Sequence, residues 1–243
     1  YQQVIDSIRS SEIGTVSLGS ITPVDGGLES SCGAGLPSNV PTWCWRPEDN
    51  RNNEWIPQGV TTSNDGSGGA VNKIFVTWYD GCDPDDNAHN GQGCQDGPSP
   101  SEEPEKGVRV SIYTPNRGYQ NVLLVEPFNN SSHNPSFHAT HMHAGGVALY
   151  GNFLYVADTR YGMRVFDTRQ IFDMDQWYTH PWVPDDVTTK VGRHDNKWYS
   201  HGYRYLWPAV GEWRLDDVAD GTKCLGDGHP LKFSFVSVDR VTN

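Results

Sequence analysis

Three histidines, His138, His141 and His143, stand within six positions of the sequence and are followed by the glycine pair Gly145–Gly146. Imidazole transfers protons near neutral pH and is a common ligand of divalent transition metals. Because side chains alternate along a strand, we expect His141 and His143 on one face and His138 on the other. The stretch predicts a metal site or an acid–base pair. A structural role for His143, with its ring bonded to the backbone of a turn, is the alternative.

A third metal ligand would have to come from a distant part of the chain, where His194, Asp195 and His201 are available. The predicted transition-metal ligands are His138, His141, His143 and His201.

Two segments mix aromatic and basic residues, at 174–184 and 194–207. Aromatic rings stack on sugar faces, while Arg and His side chains bond hydroxyl or carboxylate groups. Tyr203 and Arg204 beside His141 and His143 would suit proton abstraction next to a uronate carboxylate, as in a polysaccharide lyase. The alternative is that these aromatic rings only fill the protein core.

An acidic loop holds Asp83, Asp85 and Asp86, with Asp80 and Asn87 close by. Carboxylate oxygens at this density can bind Ca²⁺. The order of an EF-hand loop is absent, and a solvated acidic loop is the alternative.

The cysteine spacing indicates disulfide bonds. Cys32 and Cys44 bracket one loop, and Cys82 and Cys94 bracket another, with 11 residues between the members of each pair. Neither pair has the CxxC spacing of zinc sites, so we predict two local disulfides and an oxidising compartment. Cys224 remains, either as a free thiol or as a partner for a cysteine on a second polypeptide.

The tetrapeptide "NNSS" contains two overlapping N-x-S sequons, at Asn129 and Asn130. In a eukaryotic secretory pathway these asparagines would accept N-linked glycans.

The composition favours a secreted all-β protein. With 18 Lys+Arg and 30 Asp+Glu, the formal net charge of -12 repels nucleic acid and anionic membranes. No apolar run approaches the roughly 18 residues of a membrane span. The first residues lack signal-peptide features, as expected of a mature secreted chain. The 26 Gly, 16 Pro and 9 Trp favour short strands joined by turns. Hydrolase elbow, P-loop, HExxH and dinucleotide motifs are absent.

An internal repeat predicts the architecture. Gly59-Val60 matches Gly146-Val147, Phe75-Val76 matches Tyr155-Val156, and Gly107–Val110 matches Gly162–Val165. A third, fainter copy spans 203–240. Repeated antiparallel units of this kind are typical of a β-propeller, in which neighbouring units bury each other's faces. A β-sandwich with accidental similarity is the alternative.

Only about three to four blades are visible, so we expect residues 55–243 to form an incomplete propeller. A second polypeptide, joined through Cys224, would complete it. Residues 1–54 would form an extension with a disulfide loop, and its "EIGTVSLGS" segment would supply a closing strand.

The segments "WIPQGVTTS", "KGVRVSIYTP", "VLLVEPF" and "HAGGVALYGNFLYVADTRYGMRVFD" resemble secreted actinobacterial β-propeller proteins of the dispase autolysis-inducing protein type. The resemblance runs from about residue 55 to the end. It implies a seven-bladed all-β propeller, an extracellular location and action through a protein partner without a catalytic triad.

The leading functional prediction is a secreted binding protein that presents a channel mouth and loops to a protein or glycan partner. The alternative is a polysaccharide lyase or hydrolase that uses His141 and His143, with Tyr203 and Arg204 assisting. The predicted cofactor is Ca²⁺ or another divalent metal.

Overall fold

The structure is a computed structural model, and it describes residues 1–11, 13–23, 44–50, 55–67, 73–81, 106–115, 117–159, 162–175, 177, 190–214 and 233–239. Its α-helices are α1 (Gln2–Ser11), α2 (Pro47–Asn50) and α3 (Ser63–Ser67). A 3-10 turn spans Leu18–Ser20. No helix among these residues is long and apolar enough to cross a membrane.

The strands are β1 (Gly14–Val16), β2 (Trp55–Thr62), β3 (Ile74–Asp80), β4 (Val108–Thr114), β5 (Gly118–Asn129), β6 (Pro135–Ala139), β7 (Val147–Tyr150), β8 (Phe153–Asp158), β9 (Gly162–Asp167), β10 (Ile171–Asp173), β11 (Val191–His194), β12 (Lys197–Ser200) and β13 (Tyr205–Arg214).

Eight strands form one continuous sheet in the order β2-β3-β4-β5-β13-β9-β8-β7. Every neighbouring pair is antiparallel except β5 and β13, which are parallel. The sheet curls into a mixed, nearly closed barrel, so that its two edge strands, β2 and β7, come close together. Since three antiparallel steps separate each edge from the parallel pair, β2 and β7 run in the same direction.

Alternation along these strands creates two apolar surfaces. The barrel interior is filled by inward-facing side chains such as Phe75, Val110, Leu124, Val156 and Trp207. The outer face of β5, β6 and β13 packs against α1. Ile5 and Ile8, three positions apart on one side of that helix, are fully buried there.

The prediction of a β-propeller, seven-bladed when complete, is wrong. A propeller blade ends at an outer edge strand. Here β5 pairs with β13, and this pairing joins the two repeats in one sheet. The repeated segments do form two antiparallel meanders, β2-β3-β4 and β7-β8-β9. They are parts of one barrel, so the described part of the chain has no propeller axis and does not form the predicted channel.

The two repeats also turn opposite faces inward. Val60 pairs with Val76 on the outside of the barrel, because the core residue on that strand is the adjacent Phe75. The matching pair, Val147 and Val156, belongs to the barrel core. Similarity along the sequence therefore does not carry over to the position of the side chains.

The amino-terminal and carboxy-terminal segments have different structures from those predicted. Gly14–Val16 is a strand, but it pairs antiparallel with β10 at the side of the barrel. In the third copy, Tyr205–Arg214 is the strand β13, whereas residues 233–239 belong to no helix or strand.

Candidate functional site: the seam between two sheet edges

We use the term seam for the place where the edge strands β2 and β7 meet. Gly59 on β2 lies against the opposite edge. A Cβ atom at this position would stand 3.0 Å from the carbonyl oxygen of Gly145 and 3.0 Å from Cγ1 of Val147. Glycine is therefore required for the two edges to approach this closely.

Thr77 connects the two sides of the seam from within the barrel. Its Oγ1 accepts a hydrogen bond from the backbone N–H of Gly59 at 2.9 Å and donates one to the carbonyl oxygen of Ala144 at 2.8 Å. All three groups are buried. One threonine thus satisfies backbone groups on both edges, which a regular ladder would otherwise pair.

The histidine stretch forms one side of the seam. The His143 ring lies 4.9 Å from the Tyr79 ring, centroid to centroid, and is half-buried. His141 is exposed, and so is His138, whose Nδ1 lies 2.9 Å from the carbonyl oxygen of Ala139. The structural alternative for His143, with its ring bonded to the backbone of a turn, stays a prediction.

The predicted histidine metal site is not assembled in the described part of the chain. No three His, Cys, Asp or Glu side chains among the described residues lie close enough together to hold a metal ion. His201, the proposed fourth ligand, is buried beyond β12 with a positive φ of 57°. Metal binding by His138, His141, His143 and His201 stays a prediction.

Tyr203 and Arg204 have partners of their own at the start of β13. Arg204 pairs with Asp173 at 3.3 Å and with Asp175 at 3.3 Å. Partial burial opposes its charge, but the hydrogen bonds to Asp173 and the charge of Asp173 raise the pKa of Arg204. Tyr203 packs against the apolar cluster beneath α1. Joint catalysis by these two residues and the histidines stays a prediction.

Residues 233–239, which belong to no helix or strand, lie against the glycine pair of the seam. A Cβ atom on Gly146 would stand 2.5 Å from the backbone nitrogen of Val236, and one on Gly145 would stand 3.0 Å from the carbonyl oxygen of Ser234. The segment begins next to β8, where the N–H of Phe233 donates to the carbonyl oxygen of Thr159 at 3.3 Å. The paired glycines therefore admit a second stretch of backbone at van der Waals distance.

A groove of about 370 Å³ runs along the seam. It is lined by Gln58–Thr61 of β2 with Asp65 of α3, by Gly145–Ala148 and by Phe235–Val238. Two of its lining residues are large, apolar and exposed: Val60 is 67% exposed and Phe235 is 77% exposed. Exposed apolar side chains that cluster at a concave surface are a mark of an interaction site.

Two buried arginines lie away from the groove, one on each face of the sheet. Arg164 points into the barrel, where it contacts Glu126 at 3.1 Å, Glu212 at 3.2 Å and Asp158 at 3.3 Å. Burial opposes its charge, but these carboxylates raise the pKa of Arg164. The Tyr1 hydroxyl donates to Glu212 at 3.2 Å and completes the cluster.

Arg109, the matching residue of the first repeat, lies on the outer face. Its guanidinium group stands 4.3 Å from the ring centroid of Trp55 and 5.1 Å from that of Trp78. It also pairs with Asp49 at 2.7 Å, which fixes the segment of residues 44–50 on the sheet. In the sequence this arginine stands out only as part of the repeat, because its partners Trp55 and Asp49 are distant in the chain.

The remaining predicted sites fall partly outside the described residues. Asp83, Asp85 and Asp86, the predicted calcium ligands, lie outside them, as do Cys32, Cys82, Cys94 and Cys224. Cys44 takes part in a disulfide bond, and its partner lies beyond the described part of the chain. The Cys32–Cys44 and Cys82–Cys94 pairings therefore stay predictions.

The groove was missed at the level of sequence, since its walls come from residues about 90 and 180 positions apart. The sequence feature that could have indicated the groove is the presence of glycine at Gly59 and at Gly145–Gly146, which in the repeat mark the starts of strands.

Comparison with protein-family models, with curated proteins and with solved structures finds no match to this chain.

Proposed function

We propose that the chain is a binding protein that holds an extended peptide segment of a protein partner in the groove along the seam. The observation that carries this proposal is the position of residues 233–239. A stretch of backbone outside any helix or strand already lies on the glycine pair that lines the groove. This position supports the proposal, because the glycine pair leaves room for a second peptide backbone.

The groove has the size and surface that such a ligand requires. Its volume of about 370 Å³ is at the lower end of the range for ligand sites. β2 and β7 end the sheet order and are not paired with each other in a ladder among the described strands. Edge strands offer backbone N–H and C=O groups, and peptides that bind as added strands use these groups for affinity.

A peptide fits these features better than a glycan does. The exposed apolar side chains at the groove are one aliphatic residue, Val60, and one aromatic residue, Phe235. Binding of apolar peptide side chains needs such a surface, whereas sugar binding relies on aromatic faces with several polar side chains around them. We also propose that the protein is secreted, as the cysteine spacing predicts.

A polysaccharide-degrading enzyme gains no comparable support. His143 contacts Tyr79 at the seam, and Arg204 is engaged by two carboxylates at the start of β13. No described contact joins these two places.

The proposal is tested by selecting peptides from a displayed random library against the immobilised protein and measuring the affinity of the selected peptides by calorimetry. Val60→Lys removes an exposed apolar contact in the groove with little expected effect on folding. Trp213→Lys is the matched control, because Trp213 is 65% exposed but does not line the groove.

We expect selected peptides to lose binding to the Val60→Lys variant and to keep it with Trp213→Lys. If no peptide is enriched, or if both variants bind equally well, the proposal is wrong.

A further inference from the structure

We propose that residues 233–238 form a resident segment that occupies the peptide site until a partner displaces it, and that the partner's peptide has the same chemistry as this segment. The inference rests on the proposed function and adds the regulation of the site and the class of peptide that it binds. It is carried by the packing of the segment on the glycine pair, by the few hydrogen bonds that hold it, and by its uncharged sequence.

The resident segment fills the space that the glycine pair leaves for a peptide backbone. A Cβ atom on Gly146 would stand 2.7 Å from the Cα atom and 2.7 Å from the carbonyl carbon of Phe235, and one on Gly145 would stand 3.0 Å from the carbonyl oxygen of Ser234. These contacts are made by the backbone of the segment. Because two chains cannot occupy the same place, a partner peptide that packs on these glycines has to displace the segment.

Few hydrogen bonds hold the segment in place. Phe233 donates its backbone N–H to the carbonyl oxygen of Thr159 at 3.3 Å, which is longer than most backbone hydrogen bonds. Residues 234–238 make no hydrogen bond within the described part of the chain. These residues are therefore held by packing alone, and a competing peptide can replace that packing.

A partner peptide can gain hydrogen bonds that residues 234–238 lack. The strands β2 and β7 end the sheet order, and among the described strands they are not paired with each other in a ladder. A peptide that adds to one of these edges as a strand forms backbone hydrogen bonds with it. A ligand shifts an equilibrium by its differential interaction energy, and these additional bonds supply that energy.

The sequence of the resident segment indicates which peptides the site accepts. It reads Phe-Ser-Phe-Val-Ser-Val and contains no charged residue. Phe233, Val236 and Val238 are half-buried, whereas Ser234 and Ser237 are exposed. A partner of the same class presents aromatic or β-branched side chains to the site and small polar side chains to solvent. Aromatic and β-branched residues also favour the strand conformation that an edge requires.

Competition from within the chain sets the availability of the site. A segment of the same chain competes intramolecularly, which has the effect of a high local concentration. If the segment occupies the site for about nine-tenths of the time, the apparent affinity for a partner is about tenfold weaker than that of the open site.

The test uses a peptide that copies residues 232–239, acetyl-Lys-Phe-Ser-Phe-Val-Ser-Val-Asp-amide. The control peptide, acetyl-Lys-Ser-Phe-Phe-Ser-Val-Val-Asp-amide, has the same composition in a different order. Affinities of both peptides and of the library-selected peptides for the intact chain are measured by calorimetry. A 4-fluorophenylalanine placed at position 233 reports through its ¹⁹F resonance whether the segment has left its place.

A combined variant with Phe233→Ser, Val236→Ser and Val238→Ser removes the half-buried apolar side chains that hold the segment. The matched control is Phe235→Ser, because Phe235 is 77% exposed and contributes little to holding the segment. Phe233→Pro provides a second route, since it removes the N–H that donates to Thr159, whereas Phe233→Leu keeps it.

We expect the copied peptide to bind about tenfold more tightly to the combined variant than to the natural chain, and the control peptide to bind more weakly than the copied one to both. Phe235→Ser should change the affinity little. Phe233→Pro should bind more tightly than Phe233→Leu. Saturation of the natural chain with peptide should move the ¹⁹F resonance to the position of an unstructured peptide.

Weaker or unchanged binding by the combined variant, or a ¹⁹F resonance that stays in place at saturation, would show that the segment is a fixed part of the site. Either result would overturn the inference and leave peptide binding itself standing. Equal binding of the copied and control peptides, or binding of the library-selected peptides alone, would overturn the assigned peptide class. Failure of every peptide to bind both the natural chain and the combined variant would refute the proposed function.

Discussion

Arg109 and Arg164 occupy matching positions in the two sequence repeats, yet they lie on opposite faces of one sheet. Arg109 lies between two tryptophan rings on the outside, and Arg164 binds three carboxylates inside the barrel. Both are about 5% exposed. The same residue type therefore serves two different structural purposes, and replacing each one should have different consequences.

Arg164→Met should destabilise the protein at neutral pH by about 3 kcal/mol, because it leaves Glu126, Asp158 and Glu212 together without their shared cation. Urea unfolding at pH 7 measures this loss. Arg214→Met, which removes an exposed contact to the same Glu212, is the control and should change stability little. Equal loss in the two variants would contradict the buried cluster.

The Tyr1 hydroxyl makes stability sensitive to alkaline pH. Burial and the nearby charges of Glu126 and Glu212 raise the pKa of Tyr1 from 10.0 to about 12. Because the folded pKa is the higher one, this stabilising contribution is complete below pH 10 and is lost as the pH rises towards 12. The difference in unfolding free energy between the natural chain and Tyr1→Phe should therefore narrow between pH 9 and pH 11.5. A constant difference over that window would show that the hydroxyl is not held by Glu212.

Thr77 should be the most sensitive polar residue of the seam. Thr77→Val keeps the shape of the side chain but leaves the N–H of Gly59 and the carbonyl oxygen of Ala144 buried without it. We expect a loss of about 2 kcal/mol in the unfolding free energy. Thr77→Ser retains the hydroxyl and should recover much of this loss. If valine and serine are equally well tolerated, the seam does not depend on these hydrogen bonds.

Of the two sequons, Asn129 is the better glycan acceptor. It is the last residue of β5 and is exposed, whereas the side-chain oxygen of Asn130 accepts the N–H groups of Ser132 and Asn134, each at 3.0 Å. After secretion from a eukaryotic host, Asn129→Gln should lose the glycan, as measured by intact mass before and after endoglycosidase treatment. Asn130→Gln should keep it, with reduced stability of the β5–β6 turn. A glycan that disappears only in Asn130→Gln would reverse the assignment.

The sequence predicts local structure here better than it predicts how strands are joined. The composition correctly indicated a chain made mostly of β-strands, and the repeated segments do form two antiparallel meanders. The parallel pairing of Val122 with Tyr205 links residues 83 positions apart, and nothing local specifies it. A period of two also leaves open which face of a strand is inward when both faces are apolar, as around Val60 and Val147. The missing β5–β13 pairing and the undetermined inward face explain why a propeller was predicted where the chain forms a barrel.

Gly146 offers the most direct test of the groove as a structural unit. A single added methyl group would stand 2.5 Å from the backbone nitrogen of Val236 and 2.7 Å from the carbonyl carbon of Phe235, so Gly146→Ala should displace residues 233–239 from the seam. The amides of that segment should then exchange faster with solvent, while those of β13 and β9 stay protected. Gly211→Ala is the matched control, because no atom lies within 4 Å of a Cβ added at that position. The stability of this variant should be unchanged. Unchanged exchange in Gly146→Ala would mean that the segment does not form the wall of the groove. Peptide binding measured with that variant would then have to be assigned to the edges of β2 and β7 alone.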